Sequence, residues 1–246
     1  IIDTGCKLNF QTEGWKKRTN SATDKATSTS LNYLKSEGID HLDAVWLSHS
    51  DADHIGYLPT VLTSMRVERL YVPAGMEKMT KFTKRLPSNT RTQIIPITNQ
   101  APGFGGLTIL HPFTPGEATN DDSVVLAGEF GGKRFVFTGD LPQAGELAVL
   151  AYYPNLRATV VKLGHHGSKT SSSPTFLKQV GARVGIISAG RNNRYGHPNQ
   201  ETLTTLAQLH IQTYSTQTQG MITYRYNSRS GHFITHNTPE QLQLSN

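Results

Sequence analysis

Short apolar runs separated by polar turns recur along the whole chain, and their lengths distinguish strands from helices. LDAVWLS at 42–48 is apolar almost throughout and of strand length, which predicts a buried strand. VERLYVP at 67–73 reads the same way, with Pro73 ending it. Between them YLPTVLTSM, 57–65, has the look of a helix. A further helix is predicted at 29–37, where Leu31 and Leu34 share a face and Gly38 supplies the stop. The segment before it, 7–30, is rich in Ser, Thr, Lys and Asn and reads as a long mobile loop.

Strand-like runs follow at 92–97, 107–110 and 123–130. The last pairs with KRFVFTG, 133–139, across Gly131-Gly132, a two-residue hairpin signal. A helix (142–150), a strand (158–164), a helix (173–180), a strand (183–190) and a helix (199–209) come next, and a hairpin over 220–236 closes the chain. Hairpins and helices mingle in both halves, without repeats, heptads or a linker. The expected fold is therefore α/β: one domain over 1–246, an αββα sandwich of two mixed sheets with helices outside.

Composition narrows the function. With 246 residues, 36% of them hydrophobic, the chain can bury a core, but no apolar stretch approaches the roughly 18 to 20 residues that span a bilayer. The opening IIDTG reads as the middle of a strand, so the chain is expected to be part of a larger protein. A single cysteine, Cys6, rules out a disulfide framework and a thiolate zinc cluster within the chain. The net charge of +6 favours polyanions, which becomes informative only if the chemistry suits phosphate.

That chemistry lies at strand ends. LSHSDADHIG (47–56) follows the strand at 42–47, TGD with Asp140 follows 133–137, GHHGS follows 158–163, and NRYGHP follows 183–189. Loops beyond the carboxyl ends of strands are where open α/β folds gather ligand sites. Five of the ten histidines (49, 54, 165, 166, 197) lie in these tips; His41, His111, His210, His232 and His236 take ordinary surface or core roles by default. Imidazole and carboxylate without thiolate suit two divalent ions, zinc or manganese. In H-x-D-x-D-H, alternate residues can face one ion while the last two turn to a second, and Asp140 can bridge them.

H-x-D-x-D-H, then TGD, then a strand ending in histidine, resembles the metallo-β-lactamase superfamily, whose usual motif is H-x-H-x-D-H. IDTG at 2–5 is similar to its first motif, which implies that Asp3 supports the metal loop. SDADHIG, NDDS (120–123), TGD, KLGHHGSKTSSSP (162–174) and NRYGHPN together resemble, more narrowly, the C-terminal domain of the ComEC family of DNA-uptake channels, from residue 1 to about 205. Two departures from the wider superfamily, Asp51 in place of the second histidine and no histidine near NDDS, both belong to the ComEC-like pattern. The resemblance implies one ion at His49, Asp51 and Asp140, with help from Asp121 or Asp122, and a second at Asp53, His54, Asp140 and one of His165 and His166. The sequence does not say which of that pair. Asp53 also counts as catalytic, and Asn120 and Ser123 as supports.

Ser168, Lys169 and the hydroxyls of 170–173 precede a helix start at Pro174 and suit an anion. Arg191 and Arg194 can clamp phosphate. His197 is a candidate proton donor to the leaving oxygen, the alternative being support of the site from behind; Lys162 can neutralise a carboxylate near the metals, and Tyr195 packs or stacks on a base. The expected activity is a two-metal phosphodiester hydrolase, a nuclease degrading the strand that is not imported. Its partners are single-stranded DNA and the transmembrane channel of its parent, with no small organic cofactor, on the extracytoplasmic face of the plasma membrane. The rivals are a small-molecule phosphodiesterase or esterase and a DNA-binding module with a vestigial metal site.

Overall fold

The computed structural model describes residues 1–5, 23–191, 193–227 and 230–237. Cys6 and the predicted loop as far as residue 22 lie outside the described residues. The chain forms two compact units.

The first unit comprises Ile1–Thr98 and Thr114–Asp122. Its elements are α1 (Thr23–Ser36), β1 (His41–Trp46), α2 (Ala52–Ile55), α3 (Leu58–Ser64), β2 (Arg66–Pro73), α4 (Thr80–Thr83) and β3 (Gln93–Ile97). The predicted loop therefore gives way to helix at Thr23, six residues before the expected start. Leu31 is the first large apolar residue of α1, so the apolar period that marks a helix begins only halfway along it. Strands β1, β2 and β3 pair in that order, parallel throughout. Val45 lies opposite Leu70, and these pack with Leu47, Ile55, Leu58, Met76 and Phe82. Burying each such side chain is worth about 1.5–3 kcal/mol, which holds α2, α3 and α4 on the sheet although two of them are single turns.

The second unit comprises Asn99–Phe113 and Ser123–Asn246. It contains β4 (Leu107–His111), β5 (Val125–Phe130), β6 (Lys133–Phe137), α5 (Gln143–Tyr152), β7 (Val160–Lys162), α6 (Pro174–Val180), β8 (Val184–Ile187), α7 (Gln200–Gln208), β9 (Gln212–Ser215), α8 (Thr216–Gln219) and the hairpin β10 (Ile222–Tyr226) to β11 (Gly231–Thr235). Strands β4 to β9 lie in sequence order in one mixed sheet: β4–β6 antiparallel, β6–β9 parallel. The β5–β6 turn is Gly131-Gly132, both at positive φ as that turn requires. Side chains alternate across the sheet as the pleat demands. Val136, Val161 and Ile187 meet Val149, Phe176, Leu177 and Leu206 from α5, α6 and α7. Phe135, Val160 and Val184 meet Tyr224 and Phe233 of the closing hairpin. Strand β9 was not legible, because QTYS is four residues long and mostly polar.

Because β6, β7 and β8 run parallel, the loops carrying Asp140, the GHHG histidines and His197 leave the sheet at the same end. In the first unit, β1 delivers its loop, with His49 to His54, in the same manner.

Candidate metal centre

In the first unit Ser48 is the hub. Its backbone N–H donates to Asp3 Oδ1 at 2.7 Å and its hydroxyl to Asp3 Oδ2 at 2.8 Å. That hydroxyl lies 2.9 Å from His49 Nδ1, and Asp3 Oδ2 lies 2.8 Å from His54 Nδ1. A carboxylate only accepts, so His54 must carry its proton on Nδ1. Ser48 has given its own proton to Asp3 and therefore accepts from His49 Nδ1–H. Both buried imidazoles thus bear their lone pair on Nε2, the arrangement metal-ligating histidines adopt. The rings lie 4.1 Å apart between centroids. Burial raises the affinity of Asp3 for its proton, but the electrostatic attraction and hydrogen bond of the His54 Nδ1–H, joined by the Ser48 donors, outweigh this and hold its carboxyl below the usual range.

Asp51 stands at the position before α2, yet its side chain makes no capping bond. Its Oδ2 lies instead 3.6 Å from His49 Nε2, half exposed, where both atoms can reach one cation. Asp53 sits on the first turn of α2, partly buried. Asp122 is engaged in its own turn: its Oδ2 accepts from Glu117 N, Thr119 N and Thr119 Oγ1, so it shapes the 116–122 segment. Asn120 is half-buried in the same short turn.

In the second unit Asp140 is buried after β6, and its backbone N–H donates to Ser123 Oγ at 3.1 Å. Ser123 is in turn braced by His111, whose Nδ1 donates to its carbonyl at 2.8 Å. Ser123 thus lies against the Asp140 backbone, and His111 braces Ser123 from the end of β4. Its position at the end of β4, TILHP, was the available signal.

His165 Nε2 and His166 Nε2 both lie 3.8 Å from Asp140 Oδ2, so distance does not separate them. Their second nitrogens do. His166 Nδ1 faces the Ser188 carbonyl at 2.8 Å and must be protonated, leaving the lone pair on Nε2. His165 Nδ1 faces the Thr170 hydroxyl at 3.2 Å, which can donate or accept and fixes no tautomer. Both histidines are left-handed, at φ 48° and 56°, a conformation costing a side chain about 1–2 kcal/mol. The loop tolerates this because Gly167 (φ 85°) turns where a Cβ would strike Pro198, and Gly164 where one would strike Ser171.

Glu146 of α5, missed in the sequence, anchors this loop from beneath. Its two oxygens accept from Ser172 N at 2.6 Å and Ser173 N at 2.8 Å, at the start of α6. The backbone donors of Ser172 and Ser173, just before this helix, are thus taken by the protein's own carboxylate. Burial pushes the Glu146 carboxyl up, partly offset by the Ser173 and Ser172 N–H donors.

The remaining predicted contacts are largely internal. Ser168 is buried, its hydroxyl 3.0 Å from that of Thr170. Lys169 Nζ approaches Glu201 at 3.6 Å on the surface. Lys162 Nζ donates to the Leu163 carbonyl at 3.0 Å, not to a carboxylate. Arg191 Nε donates to the Gln217 carbonyl, and the Arg194 guanidinium sits 4.9 Å over the Tyr195 ring. Tyr195 is exposed rather than packed, and stacks on His197 at 5.9 Å. The His197 ring lies 5.5 Å from that of His165, held by Asn193, whose Oδ1 takes the His197 N–H and whose Nδ2 donates to its carbonyl. Burial first, then the neighbouring His165 and His166, lower its pKa, so the resting ring is neutral near pH 7. Proton donation then requires it to gain a proton once an anionic substrate stands beside it.

Residues 1–191 match the model of the metallo-β-lactamase superfamily. ComE operon protein 3 of Bacillus subtilis is 37% identical over 242 residues, covering 95% of this chain and 31% of its own length. Competence protein ComA of Neisseria gonorrhoeae is 32% identical over 172 residues, covering 68% of this chain and 23% of its own. Both relatives are ComEC-family competence proteins, and the chain spans less than a third of either. Among solved structures, the metallo-β-lactamase fold protein YhfI from Bacillus subtilis superposes with a TM-score of 0.55 at 15% identity, over 95% of this chain and 86% of that one.

Proposed function

Since the chain belongs to the metallo-β-lactamase superfamily, whose members bind metal ions and are typically hydrolases, we propose that it is a two-metal phosphodiester hydrolase. Its substrate is the DNA strand left outside during competence-linked uptake. The competence relatives support that setting. The observation that carries the reading is the tautomer set: hydrogen bonds at Nδ1 of His49, His54 and His166 put each lone pair on Nε2. The donor set also fits the metal, with imidazole and carboxylate favouring zinc or manganese.

When bound, two divalent ions lower the pKa of a shared water and absorb the charge that builds on the phosphodiester. The chain's residues divide the remaining work. In the first unit His49, Asp51, Asp53 and His54 would hold metal, and in the second Asp140 and His166 would. His165 hydrogen-bonds the substrate, and His197 protonates the departing sugar oxygen. In the parent protein the domain lies on the extracytoplasmic face of the plasma membrane beside its transmembrane channel. Among the described residues no helix is long and apolar enough to cross a membrane.

The test is cleavage of labelled single- and double-stranded DNA and of bis-p-nitrophenyl phosphate, with manganese, by wild type and Asp53→Ala. DNA cleavage that chelator abolishes and Asp53→Ala lowers at least about a hundredfold is expected. Turnover of the small ester alone would replace the nuclease by a small-molecule phosphodiesterase. DNA binding that survives Asp140→Ala, with no turnover under any metal, would leave a binding module.

A further inference from the structure

The basic charge of this chain is not spread evenly. Residues 66–93 hold seven cations (Arg66, Arg69, Lys78, Lys81, Lys84, Arg85, Arg91) against Glu68 and Glu77, a net of +5 out of +6 for all 246 residues. The stretch consists of β2, the crossover through α4, and the start of β3, all in the first unit. Because β2 and β3 are parallel, the crossover must travel back along the sheet from the end of β2 to the beginning of β3. It carries Lys78, Lys81, Lys84 and Arg85 along about 17 Å of strand length. At the end it reaches, a groove of about 750 Å³ is lined by Arg66, Arg69 and Arg91 with Asn89, Thr90 and Thr92. Glu68 lines the same groove and pairs with the 77%-exposed Arg66 at 3.3 Å, so three guanidiniums and one carboxylate leave a net of +2 there.

We propose that this groove and the crossover stripe form a docking track for the phosphate backbone of single-stranded DNA, separate from the metal ligands. The guanidinium forks and short hydroxyl and amide side chains of the groove match phosphate oxygens. No exposed large hydrophobic residue falls within 66–93, so the track offers neither a wedge to enter a bilayer nor an aromatic platform for bases. It therefore reads charge and not sequence, and a lipid surface fits it less well. The choice of DNA rests on the function proposed above; the placement of the charge does not.

The experiment is fluorescence anisotropy of labelled oligo(dT) and of a mixed-sequence strand on the whole chain, in chelator, across a salt series. Wild type should bind both strands alike. Arg66→Gln/Arg91→Gln should lower the log–log salt slope by about 1.4 and weaken binding roughly 25-fold at 0.1 M salt, from about 0.7 of a decade per charge. Arg66→Lys/Arg91→Lys should keep the slope. The Gln variant should hydrolyse bis-p-nitrophenyl phosphate as wild type does, which shows it folded. Unchanged affinity and slope in the Gln variant would overturn the track. So would loss of binding to phosphatidylserine vesicles with oligonucleotide binding intact, which would make the surface a membrane contact. Binding in chelator without any cleavage when manganese is restored would defeat the hydrolase and leave the track standing.

Discussion

Ser48 has one hydroxyl proton and three neighbours within 3.1 Å that compete over it: Asp3 Oδ2, His49 Nδ1 and His54 Nδ1. The carboxylate decides the outcome by accepting only. Asp3→Asn replaces one accepting oxygen with a donor facing His54 Nδ1–H, and the clash is relieved by moving the His54 proton to Nε2. Metal affinity is then expected to fall about 10–100-fold, readable by titrating manganese into the variant, with a change in stability of about 1–3 kcal/mol by urea unfolding. The same logic separates the adjacent histidines. His166→Ala should weaken manganese binding far more than His165→Ala, and equal losses would contradict the tautomer argument. The motif residues were legible because strand-end histidines and aspartates cluster in sequence. Which imidazole is oriented to ligate was not, since Ser188, which sets His166, lies 22 residues away.

The 164–173 loop is held from three sides: glycines that let it turn, Ser172 Oγ receiving Gly164 N–H at 3.0 Å, and Glu146 beneath. Gly167→Ala brings a Cβ to 2.7 Å from Pro198 at a φ of 85°, and should cost about 1–3 kcal/mol and reduce metal affinity by disturbing the histidines. Glu146 links α5 to the start of α6, and its raised folded pKa fixes a sign. The folded state holds this proton more tightly than the unfolded chain does, so its contribution is full below the ordinary glutamate pKa and is lost as pH rises through the folded value. The stability gap between wild type and Glu146→Gln should therefore narrow from pH 4 towards neutrality, measured by urea midpoints; a gap that widens would refute the assignment. Most elements were legible from apolar runs and glycine turns, including the Gly131-Gly132 hairpin. The first turns of α1 and strand β9 were not, because neither shows an apolar period. Glu146 was invisible because its partners are 26 and 27 residues away.

Metal held at these loops would be part of the fold's stability as well as of its chemistry. With metal at about 100 times its Kd, each of the two ions contributes about 2.7 kcal/mol. Chelation should then lower Tm by about 5–11 °C per ion lost for a chain of this length, and by much less in Asp140→Ala. The central claim, that these histidines and aspartates hold a pair of divalent ions, is tested most directly by the metal content of the purified chain after equilibration with manganese. Two ions per wild-type chain, falling to one or none in Asp140→Ala, is the predicted result. A wild-type chain that retains less than one ion at saturating manganese would contradict it.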